Sequence, residues 1–118
     1  MSDHTSTPAD TRARAMQAMK ARAPEIGRAF APFFQGLMKE GALTVKQKEL
    51  IAVGISVAIR CEPCIDAHVE KAVKAGATGA EVMEAAGVGV MMGGGPAYTY
   101  APLVWAALER VEGSASGA

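Results

Sequence analysis

The sequence predicts an all-α protein, a compact bundle of five or six helices, and three observations carry that expectation. Apolar residues recur every three or four positions, as in Ile26, Phe30, Phe33, Phe34, Leu37 and Met38, the period of a helix with one face covered. Thr44 with Gln47, and Thr78 with Glu81, each carry the signature of a reciprocal helix N-terminal cap. No stretch shows the turn-bounded two-residue alternation of a strand.

The elements follow in order. Residues 1–10 are polar and are expected to form a flexible N-terminus, and residues 11–112 a single helical domain. From Thr11 to Ala21 the residues are helix-favouring Ala, Arg, Met, Gln and Lys. Pro24 suits the first turn of a second helix, where its missing N–H is not needed, and that helix ends near Gly41. The next begins after Thr44 and runs to about Ile59. Its apolar residues are almost continuous, which predicts burial around most of its circumference. Pro63 marks a new start near Cys61; that helix continues to Ala75, and Gly76 supplies a left-handed stop. The Thr78 cap opens a helix through Val82, Met83, Ala86, Val90 and Met91, ending at Gly93-Gly94-Gly95. The glycines lack the Lys and Ser or Thr of a phosphate loop and are read as permitting close backbone packing. Pro96 opens a last helix with Tyr98, Tyr100, Leu103, Val104, Trp105 and Leu108, and residues 113–118 form a flexible small-residue tail.

Bulk properties exclude several functions. Twelve basic residues balance twelve acidic ones, so no basic surplus points to nucleic acid or to an anionic membrane surface. The first twenty residues show no apolar core of a secretory signal. The apolar run from Leu50 to Ile59 is half of what a bilayer-spanning helix needs. The two cysteines share one short motif, unlike a secreted disulfide scaffold, which suggests a cytoplasmic protein with a catalytic or metal-binding pair. Seven methionines and the bare stretch Val90 to Gly95 suggest that part of the surface lies between subunits.

The residues that can carry chemistry are Glu49, Cys61, Cys64 and His68. Cys64 and His68 are i and i+4 neighbours on a helix, and side chains lean toward its N-terminus, so His68 leans over Cys64. Cys61 lies one turn before Cys64, within disulfide reach. If the chain reverses near Arg60, Glu49 lies about 16 Å back along one helix and His68 about 12 Å along the next, at about 1.5 Å per residue. They then face each other at similar depth. A thiol must become a thiolate to attack a peroxide oxygen. A helix N-terminus favours that form, a neighbouring His takes the proton, and a carboxylate orients the His. The resulting sulfenic acid is converted by a second thiol to a disulfide. His68 singles out Cys64 as the nucleophile, leaving Cys61 to resolve. Glu62, beside the motif, opposes thiolate formation.

Glu49, eleven intervening residues, Cys61, two, Cys64, three, and His68 together resemble the active-site signature of alkylhydroperoxidase D-like proteins of the carboxymuconolactone decarboxylase superfamily. The flanking Lys46 to Ala52 and Cys64 to His68, then Ala75 to Thr78, Glu81 and Gly93 to Pro96, are similar as well. The likeness covers roughly residues 43 to 101. It implies a helical fold, a homo-oligomer (a trimer or hexamer), a hydroperoxide substrate, a thiol or lipoyl-type electron donor and no bound cofactor. It also implies a peroxidatic Cys64, a resolving Cys61 and a Glu49–His68 proton relay. Longer alkylhydroperoxidases often carry a His between the cysteines, where this chain has Pro63.

Other readings stand beside this one. The cysteines could be buried structural residues, or could bind zinc with His68, although a fourth ligand would have to be Glu49 or His4. A thioredoxin-like Cys-x-Pro-Cys needs a preceding strand, whereas Leu50 to Ile59 follows a helix cap. Tyr98, Tyr100 and Trp105 at helical spacing suit a core or interface. A cofactor-free lyase of the decarboxylase branch, using His68 and Glu49, and a non-catalytic oligomeric redox sensor are the alternative functions.

Overall fold

The computed structural model describes residues 7–117. The helices in order are α1 (Pro8–Arg22), α2 (Pro24–Met38), α3 (Val45–Ala58), α4 (Glu62–Lys74), α5 (Gly79–Gly93), α6 (Gly95–Tyr98) and α7 (Ala101–Gly117). Among the described residues there is no strand. Six helices have three or more turns and α6 has one. The stretch read as one domain divides into two compact units, residues 1–39 and 40–118.

The first unit is the α1–α2 pair. Helix α1 starts inside the segment expected to be flexible, because Thr7 and Asp10 make a reciprocal cap (Asp10 N–H to Thr7 Oγ1 3.0 Å, Thr7 N–H to Asp10 Oδ2 3.1 Å) and Pro8 sits in the first turn. Asp at that position does the work of the Glu or Gln usually sought. On α2, Phe30 packs tilted against Phe33 and Phe34, with ring centroids 6.0 and 5.6 Å away. Ile26, Phe30, Phe33 and Leu37 remain at least half exposed.

In the second unit, α3 packs against α4 and α5, and α7 covers α4 and α5. The core is built from Val53 and Val57 of α3, Ile65 and Val69 of α4, Val82 of α5 and Val104 and Leu108 of α7, all essentially inaccessible. Both expected caps are present: Gln47 N–H to Thr44 Oγ1 at 3.1 Å and Glu81 N–H to Thr78 Oγ1 at 3.1 Å, each with its return bond. Helices α3 and α5 cross where glycine meets glycine. A Cβ added to Gly54 would lie 2.9 Å from the Ala85 carbonyl oxygen, and one added to Gly89 would run into the Gly54 carbonyl. Gly93 closes the same seam, as its Cβ would sit 2.6 Å from that of Ala97 and 3.1 Å from Ala58 Cα. Ion pairs join the helices of this unit, among them Lys46 to Glu81 at 3.1 Å between α3 and α5, and Arg110 to Asp66 at 2.6 Å between α7 and α4.

Three expectations change. Helix α3 is not buried all round, since Ile51, Ile55 and Ile59 are 49%, 54% and 62% exposed. They recur at four-residue spacing, on a face that the other helices of the second unit leave open. The helix expected from Pro96 breaks after Tyr98 and restarts at Ala101. Pro102 explains the break, because proline is tolerated in a helix's first turn but not in its interior. Finally, α7 runs to Gly117, through the stretch read as a tail, where no proline stops it. No helix among the described residues is long and apolar enough to cross a membrane.

Candidate active site

The site lies in the α3–α4 hairpin, and the reversal between the two helices is made by backbone geometry. Ile59 caps α3, and Arg60 then adopts the left-handed conformation at φ 58°. The Arg60 N–H bonds to the Val57 carbonyl at 3.1 Å and the Cys61 N–H to the Ser56 carbonyl at 3.0 Å. This is the paired-bond helix ending in which glycine usually takes the left-handed position. Gly76 takes that position at the end of α4, with Gly76 N–H to Val73 and Ala77 N–H to Ala72. Arg60 accepts a strained backbone instead.

Cys61 is at once the residue after that ending and the N-cap of α4. Its sulfur accepts the Cys64 N–H at 3.3 Å, so the first-turn amide of α4 reaches Cys61, while His68 lies at i+4 from Cys64. Pro63 lies in the same first turn, where its missing N–H costs nothing. Cys61 and Cys64 are joined in a disulfide with a Cα–Cα distance of 5.2 Å. Both are partly accessible, and Glu62 and Pro63 between them are exposed.

One turn further along α4, His68 meets Glu49 of α3, with Nδ1 and Oε1 2.7 Å apart. Their side chains are 16% and 4% exposed. A carboxylate this deeply buried needs a partner that matches its charge or donates to it, and His68 is that partner. Nδ1 of the imidazole is thus the nitrogen that faces the carboxylate. The hairpin thus brings Glu49 and His68 together at the depth that equal travel along the two helices requires, and the disulfide occupies the first turn of the His68 helix.

Two features of the site were not foreseen. Ser56 is buried, bonds through Oγ to the Ala52 carbonyl at 2.6 Å, and supplies the carbonyl that holds Cys61. The signal was a single hydroxyl within an apolar run. The second is the conformation of Arg60, which the sequence marks only as the place of reversal. No cluster of three or more metal-ligating side chains occurs among the described residues, and Tyr98 and Trp105 are exposed at 69% and 55%.

Comparison with known proteins gives a consistent picture. The profile of the carboxymuconolactone decarboxylase family matches residues 24–107. An uncharacterised protein of the cox locus of Paracoccus denitrificans is 36% identical over 89 residues, covering 75% of this chain and 80% of that protein. The crystal structure of a carboxymuconolactone decarboxylase family protein from Legionella pneumophila, without ligand, superposes with a TM-score of 0.79 at 37% identity, covering 86% of this chain and 90% of the other. A further member, from Thermotoga maritima and suggested to take part in an antioxidative response, superposes with a TM-score of 0.70 at 25% identity over 90% of this chain and 88% of its own. Sequence profile, helical architecture and close cysteine pair agree, and the chain belongs to the carboxymuconolactone decarboxylase family.

Proposed function

We propose that this protein is a thiol-dependent peroxidase and disulfide oxidoreductase that reduces hydroperoxides through Cys61 and Cys64, with Glu49 and His68 as its proton relay. The observation that carries the reading is the buried 2.7 Å contact between Glu49 and His68, four residues beyond a cysteine already paired for disulfide exchange. The suggested antioxidative role of the Thermotoga maritima relative points the same way.

In the reduced protein His68 takes the Cys64 proton, and the Glu49 carboxylate offsets the charge of the imidazolium. The thiolate attacks a hydroperoxide oxygen, forming the S–O bond as the O–O bond breaks. The alkoxide leaves as an alcohol with the proton from His68. Cys61 then attacks the Cys64 sulfenic acid, forming the disulfide and releasing the oxygen as water. An external dithiol, of simple thiol or lipoyl type, supplies two electrons and restores both thiols. The same groups serve disulfide reduction without peroxide, and a reducing compartment such as the cytoplasm suits the cycle.

The protein is also proposed to work as a homo-oligomer, a trimer or hexamer. Ile51 and Ile55 on α3, Ile59 at its C-cap, and Val88, Met91 and Met92 on α5, are about half exposed or more in the single chain. A 118-residue chain buries too small a fraction of its own surface to hide them. Light scattering is expected to give three or six times the 12.2 kDa chain mass, and a stable monomer at micromolar concentration refutes the assembly.

The functional test is peroxide consumption with a dithiol reductant, together with mass spectrometry after one equivalent of peroxide. Wild type should turn over and lose both thiols together. Cys61→Ser should give a dimedone-trappable sulfenic acid on Cys64, and Cys64→Ser should not react. Two persistent free thiols in peroxide-treated wild type overturn the proposal.

A further inference from the structure

The Thr N-caps of α1, α3 and α5 each accept the amide of the residue three positions on. In α4 the same post is held by Cys61, whose Sγ accepts the Cys64 N–H at 3.3 Å. A neutral sulfur is a weak acceptor where the other helices use a hydroxyl, whereas a thiolate accepts from an amide far more strongly. The arrangement therefore gives most when Cys61 is ionised.

The charged groups around Cys61 leave that preference in place. Arg60 and Glu62 flank it with opposite signs, both exposed to solvent. Asp66 is paired with Arg110, and Glu49 is engaged by His68 almost two turns further along α4. The carbonyls ending α3, which would repel a negative sulfur, accept the Arg60 and Cys61 amides. Fixed amide dipoles thus favour a negative Cys61, whereas His68, at i+4, serves Cys64 as a proton carrier.

We infer that Cys61 is the leaving sulfur of this site: an incoming thiolate attacks the disulfide at Cys64, and Cys61 departs as a thiolate held by the Cys64 amide. This deepens the proposed redox reading and rests on it. The step balances. The attacking thiolate RS⁻ forms an S–S bond with Cys64 as the Cys61–Cys64 bond breaks, and the electron pair stays on Cys61. The second thiol of a dithiol reductant, as its thiolate, then attacks the reductant sulfur of the mixed disulfide. The reductant leaves as its own disulfide, and Cys64 leaves as a thiolate that takes a proton from His68. One dithiol is oxidised and one protein disulfide reduced. The division of labour also readies the peroxide cycle, because Cys61 already carries the charge it needs to attack a Cys64 sulfenic acid.

The test traps the mixed disulfide. Oxidised wild-type protein is exposed briefly to glutathione, quenched with N-ethylmaleimide and mapped by mass spectrometry. Glutathione is expected on Cys64 and maleimide on Cys61, in about tenfold excess over the reverse, the lower end of what a hydrogen bond to a charged group supplies. A reverse or even distribution overturns the inference. In parallel, the thiolate absorbance of Cys64→Ser, in which only Cys61 titrates, is compared with that of Cys61→Ser. Cys61 is expected to ionise at lower pH than Cys64, and this arm decides the matter if no mixed disulfide accumulates; equal or reversed order refutes it. Neither readout uses peroxide. Failed peroxide turnover with the expected map therefore sinks the peroxidase reading alone, and the converse sinks only the assignment of the leaving sulfur.

Discussion

Two glycines in one helix should respond to the same substitution with opposite signs. Gly87 and Gly89 both lie in α5, but an added Cβ at Gly87 meets nothing within 4 Å, whereas one at Gly89 would lie 3.0 Å from the Gly54 carbonyl carbon and 3.1 Å from Val57 Cβ. At Gly87 only the backbone matters: alanine is the better helix former by about 0.8–1.0 kcal/mol, and the unfolded chain loses freedom. Gly87→Ala should stabilise by about 0.5–1 kcal/mol. At Gly89 the same gain is overwhelmed. Carbon atoms prefer about 3.5–4.0 Å, so α5 must retreat from α3 by about 0.5 Å or more, and such a gap forfeits about a quarter to a half of each dispersion contact across the crossing. Overpacking of a tight core typically costs about 1–3 kcal/mol and sometimes more, and a helix shift at a backbone-to-backbone crossing belongs at the upper end. Gly89→Ala should therefore destabilise by about 2 kcal/mol net, leaving the variants about 3 kcal/mol apart.

The measurement is urea denaturation followed by circular dichroism, with the disulfide intact and each protein taken at several concentrations, so that any contribution of assembly is separated from that of the fold. Equal stability of the two variants would refute the glycine-on-glycine crossing. The crossing also bears on chemistry, since α3 carries Glu49: a displacement of about 1 Å at a reacting group can cost about a hundredfold in rate. Gly89→Ala should slow Cys64 oxidation even where it remains folded, and Gly87→Ala should not.

If Glu49 and His68 act as one relay, Glu49→Gln and His68→Ala should each slow Cys64 oxidation by about a hundredfold, with the double variant little worse than the poorer single one; fully multiplicative losses in second-order rates across pH would show separate roles. Arg60→Gly should stabilise the fold by about 0.5–1 kcal/mol, because glycine relieves the left-handed strain at φ 58° while adding some unfolded-state freedom; a lower denaturation midpoint would contradict the helix ending described. The Thr78 backbone amide, and after it the Lys46 ammonium, hold the Glu81 carboxyl below the ordinary glutamate value of 4.5. A lowered folded-state value means that the unfolded chain binds more protons in this range, so Glu81's contribution is present above about pH 4.5 and fades as pH falls through the lowered value. Glu81→Gln should flatten acid unfolding in that window, and an unchanged acid profile would contradict the capping assignment.

Much of this architecture was legible because it is written in local chemistry. Thr44 with Gln47 and Thr78 with Glu81 announce helix starts in residues that bond one another, and Gly76 announces a stop that needs a left-handed backbone. The reach of Glu49 to His68 follows from helix rise once a reversal at Arg60 is allowed. Thr7 with Asp10 is less legible, because a polar N-terminal segment suggests fraying and Asp stands where Glu or Gln is the usual capping partner. The apolar spacing from Tyr98 to Leu108 suggests one helix, but Pro102 fits only a first turn and so requires a restart. The bare isoleucines of α3 are harder. An apolar side chain at helical spacing states that it will be covered, not whether the cover comes from its own chain. Nor does residue type alone show that Gly54 and Gly89 meet, or that the amide at the start of α4 reaches Cys61; these depend on how the helices are placed.

The short reversal between α3 and α4 also bears on how the site comes into being. Glu49 and His68 touch across only 19 positions of sequence, and both cysteines lie between them. All four reactive groups therefore belong to one helical hairpin, the kind of short-range structure whose closure costs little chain entropy and proceeds quickly. After a local opening, the site can re-form by re-docking two neighbouring helices, without waiting for α5 and α7 to find their places. Under the proposed redox cycle, which breaks and remakes a covalent bond at every turn, a site kept on one such segment can repair its own geometry faster than the whole chain can refold.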